Sequence, residues 1–406
     1  MKRNQHLKDW KQIVSCRFPD LSLPQVNGLA TWSFGMVMTQ SSSLSKVSNL
    51  IAKINSEQEN TVRQRLKEWY KSGTAKTRPG NKRASIEVES CFSSLLKWVI
   101  DLLPQSNQEL LMAIDATNIG QTFTVLSINV LYRRCAIPVA WKIVKGTERG
   151  SWKPYWKDLF ESLKDIVPQD YLVTVSADRG LYADWLYEEI VTLGWHPFLR
   201  INHQGQYCNL SSNDWKHLAT VVTAKKPNWS GQITCFKSNP INCTLLAQWD
   251  DAYVDPWLIL TDLKPVEADV RWAARGSVQV ASSDALGDSA LRFRSWIECS
   301  YRDFKSDGWQ WHKTRLRQPD RAERHWLAMS VAMLWMLTIG GEQEINERQE
   351  IADDSPSATT TPIISCFVNG LLTIVAQLLN GQPLSFGRLF PLPFNHFSNF
   401  HFSNSS

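Results

Sequence analysis

The chain has 406 residues, of which 43% are hydrophobic and 20% charged, so it is a globular protein able to bury a large core rather than a disordered one. Its net charge of +5 permits an anionic partner without requiring one. The eight cysteines are scattered, with no C-x-x-C pair and no histidine pair at helical ligand spacing, which speaks against a zinc site or a disulfide framework and fits reduced thiols in a cytoplasm.

The first ten residues, Met1 to Trp10, lack the apolar core of a signal peptide. Residues 1 to 105 read as an all-helical domain, because apolar residues recur at helical spacing through Ala30–Met38, Val47–Ile54 and Phe92–Leu103. Within it, Thr61 to Tyr70 forms a basic amphipathic helix. The run from Arg63 continues through Arg65, Lys67, Lys71, Lys76, Arg78, Lys82 and Arg83, opposed only by Glu68. Arg63 and Arg65 are candidate DNA contacts, although a solvated surface helix has the same pattern.

The pattern changes at Glu109. Leu110 to Asp115 is a short apolar strand that closes on a carboxylate. Thr122–Tyr132 and Cys135–Val144 follow as strands, joined by turn-like Asn118–Gly120 and Arg133–Arg134, so the three form an antiparallel meander. A helix over Trp152–Leu163 leads to a fourth strand, Tyr171–Ala177, which ends at Asp178-Arg179-Gly180. A helix over Ala183–Thr192 and a strand over Trp195–Ile201 complete the order of a ribonuclease-H-like α/β domain, expected over residues 106–340. Residues 202 to 256 alternate like a β-rich insertion, Trp257–Asp262 returns to core-strand character, and 264–288 is ambiguous. Further helices are expected from Arg294 to Lys305 and from Arg321 to Leu337. The remainder, 341–406, divides into an acidic Ser/Thr/Pro-rich linker over Glu342–Thr361 and a tail. The apolar run Ile363–Leu379 is broken by Asn369, Gly370 and Gln377, so it reads as a packing helix rather than a membrane span.

The segment Arg294-Ser-Trp-Ile-Glu298-Cys-Ser-Tyr-Arg302-Asp-Phe-Lys305 carries the most information. At 100° per residue Arg294, Glu298, Arg302 and Lys305 fall at roughly 0°, 40°, 80° and 20°, one face of a helix. Phe293, Ile297, Tyr301 and Phe304 make a second, apolar stripe that can pack on a core. A carboxylate among cations is often only a solvated ion-pair ladder. Here two strand-end aspartates, Asp115 and Asp178, converge at one sheet edge in the expected topology, and Glu298 would join them from the helix. Three carboxylates suit two Mg2+ ions, with Mn2+ as a substitute, and two-metal sites serve phosphodiester chemistry.

These residues carry a resemblance. Ala113-Ile-Asp115-Ala-Thr117, Ala177-Asp178-Arg-Gly180 and Trp296-Ile-Glu298 through Lys305, with the lysine seven residues after the glutamate, are similar to the catalytic motifs of DDE transposases of bacterial insertion sequences. The subgroup is the one with a tyrosine–arginine–glutamate–lysine signature. The likeness runs on through Gly308-Trp309 and Thr314-Arg315 to Arg324-His-Trp326 and covers roughly residues 25 to 340. Leu291 departs from it, standing where the signature tyrosine would be. The resemblance implies that Asp115, Asp178 and Glu298 are catalytic metal ligands and that Arg294, Arg302 and Lys305 contact DNA phosphates. It also implies that the partners are terminal inverted repeats and target DNA, engaged by a homodimer near a bacterial nucleoid. Trp215 and Trp229 are candidate base-stacking residues of the insertion. Two alternatives are a catalytically degenerate DNA-binding protein of the same descent and a ribonuclease-H-like nuclease without strand transfer.

Overall fold

The computed structural model describes residues 4–76, 84–106, 108–210, 212–222, 229–249, 255–276, 292–354 and 364–391, excepting the side chains of 272–276, 292–295, 306–307 and 348–354. Among the described residues five α-helices come first: α1 Gln5–Arg17, α2 Leu23–Thr39, α3 Leu44–Asn55, α4 Glu59–Trp69 and α5 Phe92–Leu102. Their ends are set locally. The Asn4 carboxamide accepts the Leu7 N–H at 3.0 Å, and Gln25 reaches back to accept the Ser22 N–H at 2.8 Å. Left-handed Gln40 and Ser56 stop α2 and α3.

Among the described residues the sheet has ten strands: β1 Glu109–Ile119, β2 Phe123–Tyr132, β3 Cys135–Lys145, β4 Leu172–Ala177, β5 His196–Ile201, β6 Gln206–Asn209, β7 Lys216–His217, β8 Trp229–Cys235, β9 Ile241–Gln248 and β10 Trp257–Thr261. Helices α6 Lys153–Glu161 and α7 Asp184–Thr192 connect β3 to β4 and β4 to β5. The strand order is β3-β2-β1-β4-β5-β10-β9-β8-β6-β7. Strands β1, β4 and β5 are parallel, whereas β2 and β3 form the antiparallel meander. The Arg133–Arg134 turn between β2 and β3 has φ of 43° and 64°, the backbone twist a two-residue hairpin needs. The strands of the 202–256 segment continue the same sheet, because β10 pairs with both β5 and β9.

Every residue of β2 is buried, so this strand is covered on both faces. The outer edge at β3 is closed by side chains: Glu323 accepts the Ile143 N–H at 3.0 Å, and Ser300 accepts the Ala136 N–H at 2.6 Å. Helix α9 Arg292–Arg302 packs on β1, β2 and β3 and α10 Pro319–Asp354 on β3, whereas α8 Pro265–Gly276 lies against β8 and β9 and α11 Cys366–Leu379 against α10. The N-terminal helices share one core with them. Trp10 of α1 stacks on Trp335 of α10 with ring centroids 4.3 Å apart, and Trp32 of α2 meets His325 of α10 edge-on at 4.8 Å.

Three expectations are corrected. First, β1 does not end at Asp115 but continues to Ile119, because residues 116–119 keep their pairing with β2. Second, α8 gives helical structure to Pro265–Gly276 in the ambiguous segment, and residues 277–291 lie outside the described ones. Third, the expected linker begins as helix, since α10 runs on to Asp354. Its Glu344 is buried and ion-paired to Arg133 at 2.9 Å, which the composition of the segment did not reveal. Helix α11 packs on α10 through glycines: a methyl on Gly370 would strike the Met336 carbonyl, and one on Gly340 the Cys366 carbonyl. The segment after α11 straps back over the sheet, with the Leu389 N–H bonded to the Leu102 carbonyl at 2.9 Å and Arg133 Nε to the Phe390 carbonyl at 2.7 Å. Among the described residues no helix is long and apolar enough to cross a membrane.

Candidate active site

The parallel register decides what meets at the C-terminal ends of the central strands. Ile114 pairs with Ala177, and Ala177 pairs with Leu199. The next position on each strand is Asp115, Asp178 and Arg200, so these three stand in one row across β1, β4 and β5. Neighbouring strands lie about 4.8 Å apart and residues in register project to the same face, so the two carboxylates are side by side. The row is partly open to solvent, with Asp178 30% and Arg200 15% exposed. Arg200 Nη1 lies 3.4 Å from Asp178 Oδ1, and its guanidinium stacks 3.8 Å from the Trp257 ring centroid on β10. Sequence reading missed Arg200. A clue was present in its strand, which runs parallel to that of Asp178, but the pairing offset is not a local property.

Helix α9 crosses the face that carries this row. Tyr301 is 5% exposed, and its hydroxyl lies 2.6 Å from Ser127 Oγ, the residue paired with Asp115 across β1 and β2. Ser127 Oγ in turn accepts from Asn129 Nδ2 at 2.9 Å, and Tyr301 Oη also donates to the Asp115 carbonyl at 3.4 Å. Burial, then the Asp115 charge, pushes the phenol pKa upward, so Tyr301 remains a neutral hydroxyl. Ile297 and Phe304 are buried beside it, as the apolar stripe required.

The helix changes its winding after Arg302. Asp303–Asp307 is a π turn, closed by the Gly308 N–H on the Asp303 carbonyl at 3.0 Å. A side chain at Gly308 would collide with that carbonyl and with Phe367, which explains the glycine. The wider turn aims Lys305 at β1, where its Nζ donates to Thr117 Oγ1 at 2.9 Å. Thr117 is two residues beyond Asp115, on the same face. Desolvation lowers the Lys305 pKa from its usual value, and the Asp115 charge partly restores it. The resulting edge has two carboxylates flanked by Lys305 on one side and Arg200 on the other.

The other candidates are distributed as follows. Glu298 and Arg302 are exposed on α9, with Arg302 Nη2 3.0 Å from Cys299 Sγ. Arg294 belongs to α9, but its side chain lies outside the described residues, and Leu291 lies outside them altogether. Arg63 and Arg65 are exposed on α4. Arg65 is engaged by Glu57 at 2.7 Å, and this bond holds the Glu57 carboxyl below its usual range. Trp215 and Trp229 are half-buried, and the Trp229 indole lies over Gly231 of its own strand.

Asp115 and Asp178 are adjacent, partly solvated oxygen donors, the kind of ligand a hard divalent cation takes. Among the described residues no three His, Cys, Asp or Glu side chains gather into a group that could enclose a metal. Glu298 therefore does not join the aspartates in a three-ligand cluster.

No protein-family profile and no curated protein matches the chain. Among solved structures it is similar to the chain in "Cryo-EM structure of piggyBac transposase synaptic complex with hairpin DNA (SNHP)", with 11% identity and a TM-score of 0.27 over 89% of this chain and 84% of that one.

Proposed function

We propose that this protein is a DNA transposase that cuts the ends of an insertion sequence and joins them to target DNA. The observation that carries the reading is the register that sets Asp115 beside Asp178 between Lys305 and Arg200. The order β3-β2-β1-β4-β5, with β1, β4 and β5 parallel, supports a ribonuclease-H-like description of that half of the sheet. The motif resemblance around Asp115, Asp178 and Glu298 supports the same reading.

In this proposal Asp115 and Asp178 hold Mg2+, and Glu298 completes the ligands when DNA is bound. Divalent cations at such a site stabilise negative charge on the reacting phosphate oxygens. Lys305 and Arg200 offset the repulsion between the paired carboxylates and offer donors to a phosphate. Arg302 and Arg294 extend the cationic surface along α9, and Arg63 and Arg65 contact the inverted repeat. Two copies of the chain bring the two ends together. The reaction is hydrolysis of one phosphodiester at the element boundary, which frees a 3′-hydroxyl, followed by attack of that hydroxyl on a target phosphodiester, whose own 3′-oxygen leaves with the proton.

The test is incubation with Mg2+ and duplexes carrying the element's terminal inverted repeats, resolved on a denaturing gel. Cleavage at the boundary, lost in Asp115→Asn with DNA binding retained, is the expected result. Undiminished cleavage by Asp115→Asn rules out the assignment. Specific binding by the unsubstituted protein with no cleavage supports instead a non-cleaving DNA-binding protein, a reading favoured by the exposed position of Glu298 apart from the aspartate pair.

A further inference from the structure

Beyond Lys305 the surface opens into a groove of about 620 Å3 between the β1–β2 turn and the loop that follows the π turn. Its floor is apolar and fixed. Trp311, 5% exposed, meets Phe123 of β2 edge-on at 6.3 Å and Trp326 of α10 at 5.6 Å. Its walls carry Lys305, His312, Arg315 and Arg317, and among the described residues no carboxylate lines it. His312, Arg315 and Arg317 are exposed.

The loop is also held in an uncommon backbone conformation. Gln310 and Arg315, on either side of a single helical turn over Trp311–Lys313, have φ of 54° and 55°. Left-handed backbone is unfavourable at a residue that is not glycine, because Cβ crowds the following carbonyl oxygen. Such conformations persist where the surroundings enforce them, and they concentrate where a side chain must be aimed. Here the buried Trp311 and the bond from Leu316 N–H to Thr314 Oγ1 at 3.3 Å fix the loop. An arginine stands where a glycine would be unstrained.

We infer that this groove carries the sugar-phosphate backbone of the DNA strand away from the Asp115–Asp178 edge, with Arg315 and Arg317 each contacting a phosphate. The inference rests on the proposed function. Lys305 belongs to both places, since it reaches Thr117 on β1 and lines the groove. A phosphate path is therefore continuous from the carboxylates to the loop. Cations without carboxylates suit a polyanion, and an apolar floor of ring edges leaves room for sugars rather than for a compact hydrated ion.

The experiment measures duplex binding against salt for the unsubstituted protein, Arg315→Gly, Arg317→Ala and the double variant. Each lost phosphate contact lowers the slope of log Kobs against log salt by about 0.9. Over a fourfold rise in salt, the double variant should therefore lose about 12-fold less affinity than the unsubstituted protein. Arg315→Gly removes the charge and the backbone strain together, so its melting temperature should hold or rise while binding weakens. An unchanged slope in the well-folded double variant overturns the groove assignment and leaves the proposed function standing. Absence of salt-dependent DNA binding by the unsubstituted protein overturns both.

Discussion

His325 sits where the N-terminal helices, α10 and the Trp311 loop meet, and its titration should register in the stability of that joint. It is 1% exposed, with Trp32 edge-on at 4.8 Å, Tyr70 at 6.0 Å and Trp311 at 5.8 Å. Neither ring nitrogen has a partner at good hydrogen-bond geometry, and the nearby Ser42 backbone only partly offsets the cost of burial. Burial pushes its pKa down to about 3 from the ordinary 6.5. Between those values the unfolded chain binds a proton and the folded one does not, so stability falls as pH falls. The slope approaches about 1.4 kcal/mol per pH unit, and from pH 7 to pH 5 the accumulated loss is about 2 kcal/mol. Replacing His325 by leucine, close to it in volume, abolishes this contribution. The chain's eight histidines leave seven in the variant, and their contributions cancel between the two proteins. Urea unfolding at both pH values should show the unsubstituted protein losing about 2 kcal/mol more than His325→Leu over this interval. A difference under about 0.5 kcal/mol would mean that the folded protein protonates or hydrates this imidazole, against the burial argument.

Two further substitutions test how the site and the strap are held. Tyr301→Phe keeps the ring but removes the hydroxyl that meets Ser127 at 2.6 Å, so folding stability should drop by about 1–2 kcal/mol. Cleavage of end DNA should fall with it, because α9 loses its polar seat beside Asp115, and an equally stable Tyr301→Phe protein would argue against that seat. Glu344→Ala strands the Arg133 guanidinium, whose side chain is only 4% exposed, and should cost about 3–5 kcal/mol in urea unfolding. A cost below about 1 kcal/mol would show that water or the strap carbonyl of Phe390 already satisfies the arginine.

Much of the secondary structure was legible because it is written locally. Apolar periodicity marked α2, α3 and α5, and β-branched runs marked β2 through β5. The strands β6 and β7 are four and two residues long, too short for any periodicity to rise above noise. Glu342–Asp354 looks like a linker by composition, yet a buried ion pair and the packing of α11 hold it as helix. The tail had no readable purpose because its partners are remote: Arg133 and the Phe390 carbonyl are separated by 257 residues.

The site divides along the same line. An apolar run reaching an aspartate is a local signal, and it singles out both Asp115 and Asp178, although β1 runs on past Asp115 to Ile119. Arg200 sits one residue before the end of its strand and looks like an ordinary polar residue there. Its meaning comes from register, since pairing Ala177 with Leu199 makes Asp178 and Arg200 neighbours, and a slip of one residue would turn Arg200 to the opposite face. Lys305 shows the reverse case. The ideal helical wheel puts it on one face with Glu298 and Arg302, which are exposed, but the π turn at Asp303–Asp307 changes the angle by which it arrives and turns it onto Thr117. Tertiary packing against Phe367 and the requirement for glycine at position 308 set that turn. The local pattern therefore marks Asp115, Asp178 and Lys305 but neither brings in Arg200 nor separates Glu298 from the aspartates, because register and packing decide which cations are aimed at the carboxylates.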